Sequence, residues 1–178
     1  VRQVILVIAP EDRESFQEKF GANVAILGIE VVDGGQERGD SVAHALARVR
    51  SDVDYVAVHD AARPCVAAEW IDKVFAAAEK SGAAILAIPV SGTLKRVGPG
   101  RTIIETVART DVWEAQTPQV FRRDWLQDAY ARRTHASVTD DAEMVQRAVH
   151  PVTVVVGSSI NLKITTKEDL RLAAQALK

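Results

Sequence analysis

The fold is decided where a short apolar run ends in charged residues, in the stretch Tyr55-Val56-Ala57-Val58-His59-Asp60-Ala61-Ala62-Arg63-Pro64. An apolar run that is bounded by turn residues and followed by a helical pattern is typical of a buried parallel strand. Ligands of open α/β sheets bind just beyond the carboxyl ends of such strands. The stretch therefore places a carboxylate, Asp60, and a guanidinium, Arg63, where a ligand would bind. An ordinary strand end, with a capping Asp and a solvated Arg, is the alternative.

Length and composition indicate a single globular domain. The chain has 178 residues, of which 47% are hydrophobic and 26% charged, and its formal net charge is −2. This slightly negative net charge does not indicate a basic surface for binding nucleic acid. No apolar run approaches the roughly 20 residues that are needed to span a bilayer. The single cysteine, Cys65, cannot form an internal disulfide, so we expect it to be buried in a protein of the reducing cytoplasm.

Strand and helix patterns alternate along most of the chain. Apolar runs predict strands at residues 2–10, 29–32, 55–58, 83–90, 120–121, 152–156 and 162–164. Helical spacing predicts helices at residues 11–20, 40–50, 70–82 and 125–130, a short one after 141, and a last one from 165. We expect the last helix to begin with a capping box from Thr165 to Glu168 and to bury Leu170, Ala173, Ala174 and Leu177. The alternation predicts an α/β fold with a doubly wound, mostly parallel sheet.

One segment interrupts the alternation. Residues 91–109 contain two alternating runs on either side of Gly98-Pro99-Gly100, which predicts a β-hairpin inserted in the α/β chain. Because a lone two-stranded hairpin is only marginally stable in water, the segment is expected to be an arm that binds a partner. A solvated surface flap is the alternative.

Four polar clusters fall at predicted strand ends or loops. They are Asp33-Gly34-Gly35 with Arg38 and Ser41; Asp60 with Arg63; Arg109 with residues 116–119; and Asn161, Lys163 and Thr165. Cations neutralise phosphate charge, and Arg binds phosphate with two parallel hydrogen bonds, so the clusters predict a site for phosphorylated, polar ligands. Lys163 lies within a predicted apolar strand, although an exposed strand edge would also accommodate it. No CxxC, GxGxxG or metal-ligand spacing of histidines occurs, and a nicotinamide dehydrogenase has little support.

Taken in order, these motifs resemble the 2-C-methyl-D-erythritol 4-phosphate cytidylyltransferase family over nearly the whole chain. The matching segments are residues 33–42, 59–64, 93–96, 106–119, 139–141 and 161–165. The resemblance implies a single Rossmann-like nucleotidyltransferase domain over residues 1–178. It also implies an activity that joins CTP to 2-C-methyl-D-erythritol 4-phosphate and releases pyrophosphate, in the non-mevalonate pathway to isoprenoids.

The resemblance further implies roles for individual residues. Nucleotide binding would fall to Asp33, Gly34, Ser41 and Asp60, and binding of the polyol phosphate to Arg63, Thr93, Thr117, Thr139 and Lys163. Arg109 and Lys163 would be the catalytic residues that direct the substrate phosphate at the α-phosphate. Mg²⁺ would lie mainly on the CTP phosphates, with Asp60 as the one candidate for a protein contact. The hairpin would form a homodimer and carry Thr93 and Arg109 into the partner's site.

The chain departs from the family pattern at two places. The family begins with a strand and a glycine-rich loop that bears an Arg and a Lys, and we expect this segment to precede Val1 in the full protein. Ala108 stands where the family usually has an acidic residue, which leaves the orientation of Arg109 open. Two alternatives follow: a ribitol 5-phosphate cytidylyltransferase, which shares these motifs, and a non-catalytic nucleotide-binding dimer if the glycine-rich loop is truly absent.

Overall fold

The structure is a computed structural model, and it describes residues 1–133 and 139–177. Its contacts divide the chain into two compact units. The first unit comprises Val1–Val58 and Val120–Val152, and the second comprises His59–Gln119 and Thr153–Lys178. The prediction of a single domain over residues 1–178 stays a prediction.

The described elements alternate as the sequence predicts. In chain order they are β1 (Val4–Ile8), α1 (Arg13–Ile26), β2 (Ile29–Asp33), α2 (Arg38–Leu46), β3 (Tyr55–Val58), α3 (Ala68–Ser81), β4 (Ala83–Pro89), β5 (Leu94–Val97), β6 (Ile103–Val107), β7 (Trp113–Arg122), α4 (Arg123–Ala131), α5 (Asp141–Arg147), β8 (Thr153–Val156) and α6 (Lys167–Ala176). β1 pairs in parallel with β2, and β4 in parallel with β8. The predicted α/β fold with a mostly parallel sheet is confirmed.

In the first unit, α1 is longer than the sequence pattern predicts. The prediction ends the helix at residue 20, before Gly21, whereas the helix continues to Ile26. A single glycine lowers helix propensity by only about 1 kcal/mol, which does not end a helix by itself. The chain turns at Gly28, where a φ of 64° favours glycine. α2 also begins earlier than predicted, after a reciprocal capping box between Glu37 and Asp40.

In the second unit, β4 forms the centre of the core. Residues 83–87 are all buried, as expected of a nearly continuous apolar strand, and α3 packs against β4. The helix ends at Gly82 in the left-handed conformation, with a φ of 88°, as the sequence predicts. Cys65 is buried, as predicted.

β7 is much longer than the predicted strand at residues 120–121. It runs for ten residues, from Trp113 to Arg122. Its residues 116–121 are all buried, although Gln116, Thr117 and Gln119 are polar. These polar side chains interrupt the apolar run, so the sequence pattern predicts only the last part of the strand.

Three predictions near the carboxyl terminus are wrong. Residues 162–164 form no strand; instead the Ile164 amide donates to the Ala62 carbonyl 2.8 Å away, so this segment is bound to a turn. The capping box of α6 lies one residue later than predicted, between Thr166 and Asp169. Of the four expected residues of α6, Ala173 is buried, whereas Leu170, Ala174 and Leu177 are exposed.

The predicted hairpin is confirmed. β5 and β6 are antiparallel, with Leu94 opposite Val107, and Arg96 forms an ion pair with Glu105 across the strands. The two strands form a sheet of their own. Over the described ranges, no helix combines the length and apolar character needed to cross a membrane.

Candidate active site

The turn at residues 59–64 and the segment before α6 meet in the second unit at a group that we call the charged cluster: Asp60, Arg63 and Lys163. Asp60 Oδ2 lies 3.1 Å from Lys163 Nζ and 3.6 Å from Arg63 Nε. Arg63 and Asp60 are largely buried, whereas 46% of the Lys163 side chain is exposed. The cluster therefore presents one accessible cation, which its carboxylate neighbour holds in place.

Backbone carbonyls orient the Arg63 guanidinium. Its Nη1 donates to the Asn161 carbonyl at 2.7 Å, and its Nη2 lies 3.5 Å from the Ala115 carbonyl. Its Nε is buried and has no hydrogen-bond partner among the described residues. A guanidinium that is 8% exposed and bonded in this way is part of the framework of the site, so the alternative of a solvated Arg is wrong.

Asn161 connects the segment that carries Lys163 to β7. It is fully buried, and its Nδ2 donates to the Thr117 carbonyl at 2.9 Å and lies 3.4 Å from Gln116 Oε1. The Gln116 amide in turn donates to the Ser158 carbonyl at 2.9 Å. Both residues belong to the polar clusters that the sequence predicts at the ligand site, but the sequence pattern assigned neither an individual role. The structure shows that they bond to the protein itself.

The Thr117 hydroxyl is bonded within the protein. Its oxygen accepts from the Asp60 amide at 3.0 Å and lies 3.0 Å from His59 Nδ1, while His59 Nε2 lies 3.2 Å from the Arg63 carbonyl. Partial burial of the ring lowers the pKa of His59, and the Arg63 carbonyl acts in the opposite direction. Sequence reasoning expected a substrate contact at Thr117 and no role for His59.

Thr93 and Arg109 lie at the two ends of the hairpin. Thr93 precedes β5, Arg109 follows β6, and both are exposed. Within the described part of the second unit, hydrogen bonds and ion pairs join Asp60, Arg63, Thr117 and Lys163.

The remaining predicted residues lie in the first unit, where Gly34 and Ser41 form a close-packed loop. The Gly34 amide donates to the Ile8 carbonyl at 2.7 Å, and the Gly35 amide to Ser41 Oγ at 3.1 Å. A Cβ on Gly34 would lie 2.9 Å from Ser41 Oγ and 3.2 Å from the Ile8 oxygen. Asp33, which precedes the loop, forms an ion pair with Arg13. The loop leaves no room for a side chain at Gly34.

A buried carboxylate links the start of α2 to the start of α5 in the same unit. Asp141 is fully buried and accepts from Arg38 Nη2 at 2.6 Å and from the Tyr130 hydroxyl at 2.6 Å. Burial, with the nearby Asp141 charge, raises the pKa of Tyr130. Thr139, two residues before Asp141, donates from its amide and its hydroxyl to Glu143, each at 3.1 Å. Sequence reasoning assigned no role to Asp141 or Tyr130.

The donor set can neutralise phosphate charge, and it does not form a protein cage for a metal. Among residues 1–133 and 139–177, no group of three or more His, Cys, Asp or Glu side chains could hold an ion. His135, one of the four histidines in the sequence, lies outside the described residues. A metal at the charged cluster would therefore take most of its ligands from the bound molecule.

Comparison with known proteins connects this geometry to a family. The sequence model of 2-C-methyl-D-erythritol 4-phosphate cytidylyltransferase matches residues 1–178. The protein of that name from Rhodopirellula baltica is 46% identical over 189 aligned residues, which cover 99% of this chain and 76% of the relative.

Solved structures agree with this assignment. A crystal structure of 4-diphosphocytidyl-2C-methyl-D-erythritol synthase is similar with a TM-score of 0.85 at 32% identity, over 100% of this chain and 83% of that one. The 2-C-methyl-D-erythritol 4-phosphate cytidylyltransferase of Thermus thermophilus gives 0.77 at 38% identity, over 85% and 74% of the two chains. By its sequence and its fold, this chain belongs to the 2-C-methyl-D-erythritol 4-phosphate cytidylyltransferase family.

Proposed function

We propose that this chain transfers the cytidylyl group of CTP to the phosphate of 2-C-methyl-D-erythritol 4-phosphate and releases pyrophosphate. The observation that carries the proposal is the family match over residues 1–178. The charged cluster supports it, because an accessible Lys163 beside Asp60 and Arg63 suits a doubly charged phosphate substrate.

The chemistry requires positioning and charge neutralisation rather than a strong base. The substrate phosphate is already ionised, so one of its oxygens attacks the α-phosphorus of CTP directly. The bond from that phosphorus to the bridging oxygen breaks, and its electron pair leaves with pyrophosphate. Catalysis of this kind depends on aligned reactants and on cations at the transferring phosphorus. We assign the alignment of the substrate phosphate and the neutralisation of charge at the phosphorus to Lys163 and to Arg109 of the hairpin.

The close-packed loop of the first unit is the proposed nucleotide contact. Since Gly34 lacks a side chain, its backbone packs closely against Ser41 Oγ and the Ile8 carbonyl, and this packing fixes the shape of the loop. We assign Asp33, Gly34 and Ser41 to the cytidine of CTP. Thr139, at the start of α5, and Arg63 are assigned to the polyol phosphate.

Magnesium is the proposed metal, and Asp60 is the candidate protein ligand for it. Mg²⁺ in nucleotide sites commonly binds through one or two carboxylates plus substrate phosphates and water. Asp60 supplies one carboxylate, which already neighbours two cations. Mg²⁺ on the CTP phosphates would neutralise the charge that develops on the departing pyrophosphate.

A homodimer through residues 91–109 is also part of the proposal. The hairpin exposes Val97, Ile103 and Ile104, the last with 64% of its surface accessible. A two-stranded sheet with exposed apolar residues is stabilised by a second copy, and two-fold pairing is the commonest closed arrangement. Thr93 and Arg109 would then act in the partner's site. We further expect the protein in the cytoplasm, where its one free cysteine stays reduced.

A substrate panel tests the proposed function. Pyrophosphate release is measured with CTP, Mg²⁺ and either 2-C-methyl-D-erythritol 4-phosphate or ribitol 5-phosphate, and with neither polyol. We expect release with the methylerythritol phosphate. Release with ribitol 5-phosphate alone would move the assignment to that reaction. CTP binding without any release would identify a non-catalytic nucleotide-binding protein.

A further inference from the structure

A short turn at residues 157–161 joins β8 to the segment that carries Lys163. The Asn161 backbone amide closes this turn by donating to the Ser158 carbonyl at 3.0 Å. At its other end, the Gly157 backbone amide donates to the Ala87 carbonyl of β4 at 2.9 Å. Because the chain runs directly from this turn to Lys163, the placement of the turn determines where the Lys163 side chain begins.

Gln116 on β7 holds the turn with its buried side-chain amide. A carbonyl can only accept, so the Ser158 carbonyl identifies the Gln116 atom that lies 2.9 Å away as the donor Nε2. The acceptor Oε1 is then directed at Asn161 Nδ2, at a distance of 3.4 Å. Gly157 leaves room for this amide, because a Cβ at residue 157 would overlap Gln116 Oε1.

The Asn161 side chain makes the second connection to β7. Asn161 is fully buried, and its Nδ2 donates to the Thr117 carbonyl at 2.9 Å. Its Oδ1 is buried and has no hydrogen-bond partner among the described residues. Because an unpaired buried acceptor lowers the free energy of unfolding, stability alone does not account for an amide at this position.

Two further bonds join the Lys163 segment to the turn that carries the charged cluster. The Asn161 carbonyl accepts from Arg63 Nη1 at 2.7 Å. The Ile164 backbone amide donates to the Ala62 carbonyl at 2.8 Å. Lys163 lies between these two attachment points, so the bonds of the buried amides fix the backbone from which its ammonium reaches the cluster.

We propose that Gln116 and Asn161 form an amide pair that positions Lys163 for contact with the phosphate of the polyol substrate. This inference rests on the proposed function and adds two positioning residues to it. Both side chains are buried and bonded to the protein, so they act through the backbone that carries Lys163 and touch no reacting atom. Removal of the pair should therefore slow the reaction only while Lys163 is present.

A comparison in two backgrounds tests the amide pair. Q116M removes the side-chain amide at nearly constant volume, and the Ser158 carbonyl keeps its bond from the Asn161 backbone. We expect Q116M to lower kcat about five- to fiftyfold in the otherwise unchanged protein, with the KM for CTP within about twofold of wild type. In the K163A background the same change should lower kcat less than about twofold. Q175A, at an exposed glutamine of α6, is the matched control.

G157A displaces the Gln116 amide without removing any hydrogen-bonding group. Its methyl group takes the space of Gln116 Oε1, and Gly157 does not have the left-handed backbone that would exclude alanine. We expect G157A to reproduce the loss of Q116M, again only with Lys163 present. If Q116M fails to fold, G157A decides the same comparison. Equal losses in the two backgrounds, or wild-type kcat in both variants, would overturn the proposal.

The environment of Lys163 provides a readout that does not depend on activity. The lysines are reductively methylated with ¹³C-formaldehyde, and the Lys163 resonance is the one that K163A removes from the NMR spectrum. Because a carboxylate lies 3.1 Å from Lys163 Nζ, we expect this resonance to be distinct in wild type and to move toward those of the other lysines in Q116M.

A Lys163 resonance that is unchanged in Q116M and in G157A would overturn the proposal. A wild-type protein that transfers no cytidylyl group would instead refute the proposed function. The NMR comparison would then still decide whether the amide pair holds the Lys163 side chain.

Discussion

At Gly34 a single hydrogen atom in place of a side chain makes the close-packed loop of the first unit possible, and we propose that this loop contacts the nucleotide. A Cβ there would meet Ser41 Oγ at 2.9 Å and the Ile8 carbonyl at 3.2 Å, and a backbone oxygen cannot move aside as a flexible side chain can. G34A should therefore displace the loop and raise the KM for CTP several-fold, with a smaller change in the KM for the polyol phosphate. The control is G92A, where a Cβ meets nothing within 4 Å. Equal effects of the two changes on CTP would contradict this role.

Lys163 is the accessible cation of the charged cluster, and it is better suited to a kinetic test than Arg63. Removing Arg63 would leave the Asn161 carbonyl without this hydrogen bond and would open a buried cavity. A loss of activity could then result from a loss of stability. We expect K163A to lower kcat/KM roughly 30- to 1000-fold, because it removes a charge-assisted contact in the transition state. Thermal unfolding should change little, since the side chain is nearly half exposed. The control is K80A on α3; a K163A enzyme as active as K80A would show that Lys163 is only a surface charge.

At the scale of the element, the start of α6 carries an acid-sensitive cap. The Asp169 carboxylate accepts from the Thr165 amide, the Thr165 hydroxyl and the Thr166 amide, and these bonds lower its pKa to about 2 from an ordinary value of 3.8. Because the folded pKa is the lower one, the stabilisation is complete above pH 3.8 and is lost as the pH falls toward 2. The difference in unfolding free energy between wild type and D169N, from urea denaturation, should shrink over that interval. Parallel stability curves for the two proteins below about pH 4 would contradict the assignment.

The hairpin makes a prediction about assembly. Ile103 and Ile104 are exposed on an isolated two-stranded sheet, so a charge at one of them should disfavour contact with a second copy. We expect I104K to produce monomers by light scattering and to lower activity, because Arg109 would no longer reach a partner's site. I160K, at an exposed isoleucine outside the hairpin, is the control. A wild-type protein that is monomeric at assay concentrations would refute the shared site.

Across the whole molecule, the sequence predicts those strands, helices and site residues that a local run of residues defines. β4 is apolar along its length and was predicted as a strand. The position of residues 59–64 at a strand end predicted a site at Asp60 and Arg63, and the structure places Lys163, from another predicted cluster, beside Asp60. β7 was mostly missed, because its buried Gln116 and Thr117 are satisfied by partners such as Ser158 and Asp60, which lie 42 and 57 residues away in the chain. Such distant hydrogen bonds are not visible in a local pattern. The buried position of Asn161 and the internal bonding of Thr117 could be found only from the structure.

In the reaction that we propose, the substrate phosphate itself attacks the α-phosphorus of CTP. This step can be followed with 2-C-methyl-D-erythritol 4-phosphate whose phosphate carries ¹⁸O, with the products analysed by ³¹P NMR and mass spectrometry. We expect one ¹⁸O in the bridge of the new diphosphate, full retention of the label in the cytidylylated polyol, and unlabelled pyrophosphate. Label in the pyrophosphate, or a product without an ¹⁸O bridge, would contradict it.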